Sequence, residues 1–143
     1  MAIRQPPPTA PSLAQRLIWL FARFDGRISR QVYWLANLQL VVFLLILLRP
    51  MIPISFDEET GAPVIGELPA AAGFIILLTT VSTLAIGAKR LHDFGASGFF
   101  AAALLLFPIS AVATIVIGVI PGTAGPNRHG DGPDRVPGRR GTT

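Results

Sequence analysis

Three long apolar segments dominate the pattern of hydrophobic and polar residues along the chain. They run over about 32–48, 68–88 and 99–120, and none contains a charged residue. A helix needs roughly 20 apolar residues to cross a hydrocarbon core of about 30 Å. The second and third segments meet that length, and Tyr33 and Trp34 begin the shorter first one as an aromatic belt would. Three such segments do not fit inside a soluble domain of 143 residues. The pattern therefore predicts an all-α integral membrane protein with three transmembrane segments.

A shorter segment with helical spacing precedes them. Over 13–24, leucines and phenylalanines recur on one face, whereas Gln15, Arg16 and Arg23 fall on the other. Ser12 is placed to cap the first turn. We predict a short amphipathic helix that lies in the membrane interface on anionic lipid. The alternative is a cytosolic stub that packs against the other helices.

The flanking regions set the domain boundaries. Residues 1–11 contain four prolines and predict a disordered or polyproline tail, and residues 134–143 predict a disordered basic tail. Nothing near the start resembles a cleavable signal. The predicted membrane domain therefore covers 12–133. Its 49–67 connection is rich in proline and glycine and carries four of the eight acidic residues, which predicts a loop.

Composition narrows the function classes. Only 14% of the residues are charged and 51% are hydrophobic, whereas a soluble domain carries about 25% charged residues. Cysteine is absent, which excludes disulfides and thiol chemistry. The formal net charge is +4, but the basic residues are scattered at helix ends with no platform for base stacking. We therefore predict the lipid bilayer, and no nucleic acid, as a partner.

The distribution of basic residues predicts the orientation. Five arginines precede the first apolar segment and the loop after it contains Arg49 as its one basic residue, so the N-terminus is expected on the cytoplasmic side. A third segment that spans gives seven basic residues inside and five outside. A third segment that turns back at Pro108 gives eleven inside and one outside. We predict the spanning arrangement and keep the re-entrant one as the alternative.

Three polar motifs border the apolar segments: Phe24–Arg30, Lys89–Gly98 and Pro121–Gly130. In this order and at these helix ends, they resemble the small bacterial inner-membrane proteins of the domain of unknown function 805 family, over about 24–133. Arg90-Leu91-His92-Asp93 followed by Ser97-Gly98 is the most specific part.

The sequence departs from the family's pattern at two places: Phe99-Phe100 stands where the family usually has tryptophans, and His129 where it usually has tyrosine or phenylalanine. The resemblance implies the architecture and a location in the bacterial inner (cytoplasmic) membrane. It implies no mechanism, because that family has no established biochemical activity.

The motif residues favour structural roles. Glycines such as Gly26 permit sharp turns, and Ser97 is placed to cap a helix. We hypothesise that Asp93 pairs with Arg27 or Arg30 and fixes the turn between the second and third apolar segments to the first helix. The residues assigned to this motif group are Asp25, Gly26, Arg27, Arg30, Lys89, Arg90, His92, Asp93, Ser97, Gly98, Asn127 and Arg128.

A catalytic or metal-binding alternative rests on His92 and Asp93. A catalytic zinc site typically needs three protein ligands, and the chain has only two histidines, His92 and His129. These two can meet only if the C-terminal tail is also cytoplasmic. We predict no metal, no cofactor and no enzymatic activity.

Small and weakly polar residues recur inside the apolar segments at every fourth position. Such stripes let helices pack closely, within the chain or between copies. They comprise Thr79, Thr83 and Gly87 in one segment and Ser110, Thr114 and Gly118 in the next. Asn37 and Gln39 lie far apart around the first helix, so at least one is expected to face protein.

The predicted function is a non-enzymatic membrane module that acts through helix assembly with itself or with other membrane proteins. A small oligomeric channel or transport accessory is the alternative, although no intramembrane acid, lysine or arginine marks an ion pathway. An interface enzyme that uses His92 and Asp93 is the third possibility.

Overall fold

The computed structural model describes residues 10–137 and is mostly helical. Its elements are α1 (Leu13–Ala22), α2 (Arg30–Leu48), a short 3₁₀ turn (Arg49–Met51), β1 (Ile54–Phe56), β2 (Pro63–Ile65), α3 (Ala70–Asp93), a 3₁₀ helix (Gly98–Leu105) and α4 (Ile109–Val119). Most of the two predicted disordered tails lies outside the described residues.

Helix α1 begins with a reciprocal cap. The hydroxyl of Ser12 accepts from the amide of Gln15 (3.3 Å), and the Gln15 side chain accepts from the amide of Ser12 (2.8 Å). Trp19 is buried and packs in the core, whereas Leu13 and Ile18 are 73% and 60% exposed. The helix is therefore held by its tryptophan and leaves part of its apolar surface uncovered.

Helices α2 and α3 are the two long elements. The α2 helix continues through the 3₁₀ turn, and both Arg30–Met51 and Ala70–Asp93 are long and apolar enough to cross a membrane. With 24 residues, α3 is about 36 Å long. The structure thus has two such helices among its described residues, where the apolar pattern predicted three.

A two-stranded antiparallel hairpin connects α2 to α3, where we predicted a loop. Ile54 pairs with Ile65 and Phe56 with Pro63. At its turn, the amide and hydroxyl of Thr60 each donate to the carboxylate of Asp57 (2.8 Å), and these bonds lower the pKa of Asp57. All six strand residues are exposed.

The third apolar segment is not a single helix, so the prediction of one helix over 99–120 is wrong. The 3₁₀ helix ends at Leu105 and α4 begins at Ile109, because Pro108 has no amide to continue the ladder. The two pieces have eight and eleven residues and are each about 16 Å long. They form a helical hairpin rather than one long rod.

The hairpin returns to the end of α3 from which it starts. The amide of Thr123, which follows α4, donates to the carbonyl of Asp93 at the end of α3 (2.9 Å). The course of the chain therefore turns back, as in the re-entrant alternative, and does not continue as one straight helix. Because each piece is about half as long as α3, the hairpin covers only the half of α3 that adjoins Asp93.

Two predicted small residues let this hairpin approach the long helices. A Cβ atom at Gly87 would collide with Leu104 of the 3₁₀ helix, and one at Gly118 of α4 would collide with the ring of Trp34. The hydroxyl of Tyr33 also donates to the carbonyl of Thr114 (3.1 Å). Both stripes therefore contribute to packing within the chain.

The other members of the stripes bond along their own helices. The hydroxyls of Thr79 and Thr83 donate to carbonyls one turn earlier, and Thr114 donates to the carbonyl of Ser110 (2.8 Å). In α2, Asn37 is half-buried and donates to the carbonyl of Tyr33 (2.9 Å), whereas Gln39 is exposed. Of these two amides, Asn37 is the one that faces protein.

Candidate functional site

The three polar motifs meet at one end of the helices, around three buried charged side chains. Arg27, Arg90 and Asp93 are 1%, 0% and 3% exposed. Arg27 lies in the segment before α2. Arg90 and Asp93 lie one turn apart near the end of α3. The Pro121–Gly130 motif, which follows α4, contacts this cluster through backbone carbonyls that accept from Arg27.

Asp93 is the shared acceptor of this cluster. One carboxylate oxygen accepts from Arg27 Nη2 (3.0 Å) and Nε (3.2 Å), and the other accepts from Arg90 Nη1. The hypothesised pair between Asp93 and Arg27 is confirmed. Arg30 is exposed and forms no ion pair among the described residues, and Asp25 pairs with Arg23 at the surface (2.6 Å).

Arg27 also holds the third motif in place. Its guanidinium donates to the carbonyls of Gly125 (2.7 Å), Thr123 (2.8 Å) and Gly130 (3.2 Å). The loop presents these carbonyls inwards because Gly125 and Gly130 adopt positive φ angles of 78° and 147°, which glycine accepts without steric cost. One arginine thus connects the segment before α2 to the segment after α4.

Arg90 and Lys89 donate hydrogen bonds to backbone carbonyls near the C-terminal ends of α4 and α1. Arg90 donates to the carbonyls of Ile117 (3.2 Å) and Ile120. The last carbonyls of a helix lack partners and carry the negative end of the helix dipole, so a guanidinium is favourable at the end of α4. Lys89 donates to the carbonyl of Arg23 and lies 5.5 Å from the centroid of the Trp19 ring, which fixes α1 to α3.

The third motif caps the end of α3. The Asn127 side chain donates to the carbonyl of His92 (2.9 Å), and the hydroxyl of Thr123 donates to that of Asp93 (2.8 Å). A Cβ atom at Gly122 would collide with the Asp93 carboxylate. We did not predict Thr123 or Gly122, although both lie in a motif that we had identified.

The two histidines stack on each other beside the cluster. Their ring centroids are 3.8 Å apart and the planes differ by 6°. His92 Nδ1 donates to the carbonyl of Gly26 (3.1 Å), and His129 Nε2 accepts from Arg128 Nε (2.9 Å). Partial burial, the nearby His92 and the charge of Arg128 all lower the pKa of His129. The histidines meet because the hairpin returns.

The remaining motif residues complete the turn after α3. Arg128 donates to the carbonyl of Gly95 (2.8 Å), and the hydroxyl of Ser97 accepts from the amide of Phe99 (3.4 Å) as predicted for a cap. Gly98 lies so close to His92 that a Cβ atom would stand 2.7 Å from Nε2. Each of these contacts orders the chain locally.

The site is an internally satisfied network. Throughout residues 10–137, every buried side-chain nitrogen and oxygen has a hydrogen-bond partner. The cluster holds more cationic than anionic groups, and backbone carbonyls compensate the difference. In the same range, no three His, Asp or Glu side chains are placed to bind a metal ion. This geometry fixes the three polar motifs to one another.

The structure is a small, mostly helical protein with two helices of membrane-spanning length. A helical hairpin is anchored to them by a buried Arg–Asp–Arg cluster. A family model described as "Protein of unknown function (DUF805)" matches residues 21–131 and includes all three motifs. The chain belongs to this family, as the motifs indicated. Neither a curated protein nor a solved structure matches it.

Proposed function

We propose that this protein is an integral membrane module of the bacterial inner membrane, without enzymatic activity, that assembles laterally with other membrane polypeptides. Membrane insertion is supported by α2 and α3, whose outward residues such as Leu45 and Leu77 are 63% and 58% exposed. In water, so large an apolar surface would have no cover. In a bilayer it faces lipid.

The charge distribution supports one orientation. The three polar motifs lie at one end of the long helices, the motif end, and the β-hairpin lies at the other. Of the nine basic residues in the described part of the chain, eight lie at or beside the motif end, and only Arg49 lies at the β-hairpin end. The acidic residues Asp57, Glu58 and Glu59 surround the β-hairpin turn. Because positive charge is retained in the cytoplasm, the motif end is cytoplasmic in this proposal, and so are the described residues just before α1 and just after the third motif.

A non-enzymatic role is supported by the engagement of the motif side chains. The enzyme hypothesis needs His92 and Asp93 to be available, but the Asp93 carboxylate is 3% exposed and accepts from two arginines. Its pairing leaves no site for a reacting group. No observation favours the channel alternative either, since Asn37 bonds within its own helix.

Lateral assembly is supported by one observation, the uncovered tip of the helical hairpin. The chain between Leu105 and Ile109 is non-helical, and Phe107 at its centre is 91% exposed. A hairpin about 16 Å deep reaches the middle of a core about 30 Å thick. Irregular backbone at that depth is tolerated only where protein or a water-filled cavity covers it. A neighbouring polypeptide at the tip meets this requirement.

Site-specific photo-cross-linking in intact membranes tests the proposal. A photoreactive residue at Phe107 is compared with one at Ile115, which is 57% exposed on the helical part of the same hairpin. We expect a discrete protein adduct from position 107 and lipid adducts from position 115. Lipid adducts alone at both positions would refute lateral assembly through the tip. Release of the protein from membranes by alkaline carbonate would refute insertion itself.

A further inference from the structure

A concave feature lies apart from the buried cluster, between α1, the start of α2 and the segment after the third motif. Its volume is about 400 Å³. The walls comprise Pro11, Arg16, Leu17, Trp19, Leu20, Val32, Asp134, Arg135 and Val136. We call it the α1 pocket. Val32 is in the first turn of α2, so the pocket opens where that helix enters the proposed bilayer.

The α1 pocket depends on a segment that we had assigned to a disordered tail. The amide of Asp134 donates to the carbonyl of Arg27 (2.9 Å), and its carboxylate accepts from the amide of Ser29 (2.8 Å). Asp134 has a φ of 62°, a left-handed conformation that a non-glycine residue adopts at some cost. These bonds hold the turn that brings Arg135 to the pocket and packs Val136 against the core.

The charged side chains of the α1 pocket give it a net positive charge. Within residues 10–137, the ion pairs are Arg23 with Asp25 and Asp93 with two buried arginines, so neither Arg16 nor Arg135 has an ionic partner. The wall holds one carboxylate, that of Asp134, which also accepts from the amide of Ser29, so two guanidinium groups are opposed by one negative charge. Two guanidinium groups thus share a pocket whose remaining walls are mostly apolar.

We infer that the α1 pocket binds the phosphate headgroup of an anionic phospholipid. Arg16 and Arg135 contact the phosphate, since a guanidinium matches phosphate oxygens in geometry and charge. The glycerol and the first acyl carbons lie against Leu20 and Val32. This inference rests on the proposed membrane insertion, because only then does the pocket lie at headgroup depth. Binding would fix α1 at the membrane surface through lipid as well as through Trp19.

Fluorescence quenching of Trp19 provides a direct test. The chain has two tryptophans, so a Trp34→Phe background leaves Trp19 as the single reporter. The full-length protein is placed in phosphatidylcholine nanodiscs that contain a rising fraction of phosphatidylglycerol brominated near the headgroup. A second series replaces this lipid with equally brominated phosphatidylcholine. In a third, inorganic phosphate is added to distinguish a free anion from a headgroup.

We expect brominated phosphatidylglycerol to quench at a much lower mole fraction than brominated phosphatidylcholine, with no competition from millimolar phosphate. Arg16→Gln or Arg135→Gln should each weaken this preference about fivefold, as expected for one basic residue near an anionic surface. The matched control is Arg30→Gln, which removes an exposed arginine of the same face that does not line the pocket.

Three outcomes would overturn the lipid site. Equal quenching by both lipids would show insertion without selectivity, and an equal effect of Arg30→Gln would show general attraction to the surface. Displacement by inorganic phosphate would show a site for a free anion. Absence of quenching by either lipid would instead refute the proposed membrane insertion, so the two failures are distinguishable.

Discussion

Substitution of Asp93 by Asn is the sharpest test of the buried cluster. The change keeps the size of the side chain and removes the charge that two buried arginines share. The substituted side chain would retain one oxygen for Arg27, but its NH₂ group would face the other guanidinium. Arg27 and Arg90, which are 1% and 0% exposed, would then be buried without a counter-ion.

The expected loss of stability follows from that burial. Removal of one partner from a buried ion pair costs about 3–5 kcal/mol, because the remaining charge stays desolvated. The matched control is Asp25→Asn, which breaks a pair whose side chains are 49% and 44% exposed. An exposed pair contributes about 0–1 kcal/mol. Exchange of the charges between positions 27 and 93 should not rescue stability, since a carboxylate at 27 would face the carbonyls of Gly125 and Thr123.

Equilibrium unfolding in mixed micelles, followed by circular dichroism, measures both variants. We expect the free energy of unfolding to fall several times further for Asp93→Asn than for Asp25→Asn. If the two losses differ by less than about 1 kcal/mol, the value of an exposed pair, then Asp93 is not the charge that holds the three motifs together.

Three further predictions use the same assay. Gly87→Ala should destabilise the protein because the added Cβ would collide with Leu104. Gly73→Ala on the same helix meets no neighbour, so it should be neutral or stabilising by about 0.5–1 kcal/mol. Equal effects of the two substitutions would contradict the packing of the helical hairpin against α3. Gly122→Ala should destabilise by displacing the Asp93 carboxylate, and an unchanged unfolding midpoint would contradict that contact. The lowered pKa of His129 means that the unfolded chain takes up the proton first, so stability is full above pH 6.5 and declines as the pH falls below it. His129→Phe should make this decline shallower by removing the contribution of His129, and an unchanged decline would assign the whole pH dependence to other groups.

Much of the architecture could be predicted because local signals carry it. Apolar runs and the predicted caps at Ser12 and Ser97 depend on neighbouring residues, and both caps are present. The pair between Arg27 and Asp93 could be predicted from charge and helix ends alone. The β-hairpin could not, since its two strands have three residues each and lie within a connection rich in turn-forming residues.

The return of the third segment depends on contacts that leave no local signal. Charge counting allowed both paths, and a proline in an apolar segment is compatible with either. The path is decided by carbonyls of Ile117, Thr123 and Gly125 that bond to arginines far away in the sequence. Any residue type supplies a carbonyl, so composition does not reveal these partners. The stacking of the two histidines follows from the same return.

The side of the membrane on which the third motif lies is the most direct test of the arrangement. The cysteine-free chain allows one cysteine at Ala124, an exposed position of this motif, with controls at Ser12 and at Thr60 in the β-hairpin turn. Intact cells are labelled with a membrane-impermeant maleimide before and after permeabilisation. We predict that Thr60→Cys labels from outside and that Ala124→Cys, like Ser12→Cys, labels only after permeabilisation. Labelling of Ala124→Cys from outside would mean that the third segment crosses the membrane and that the three motifs do not share one face.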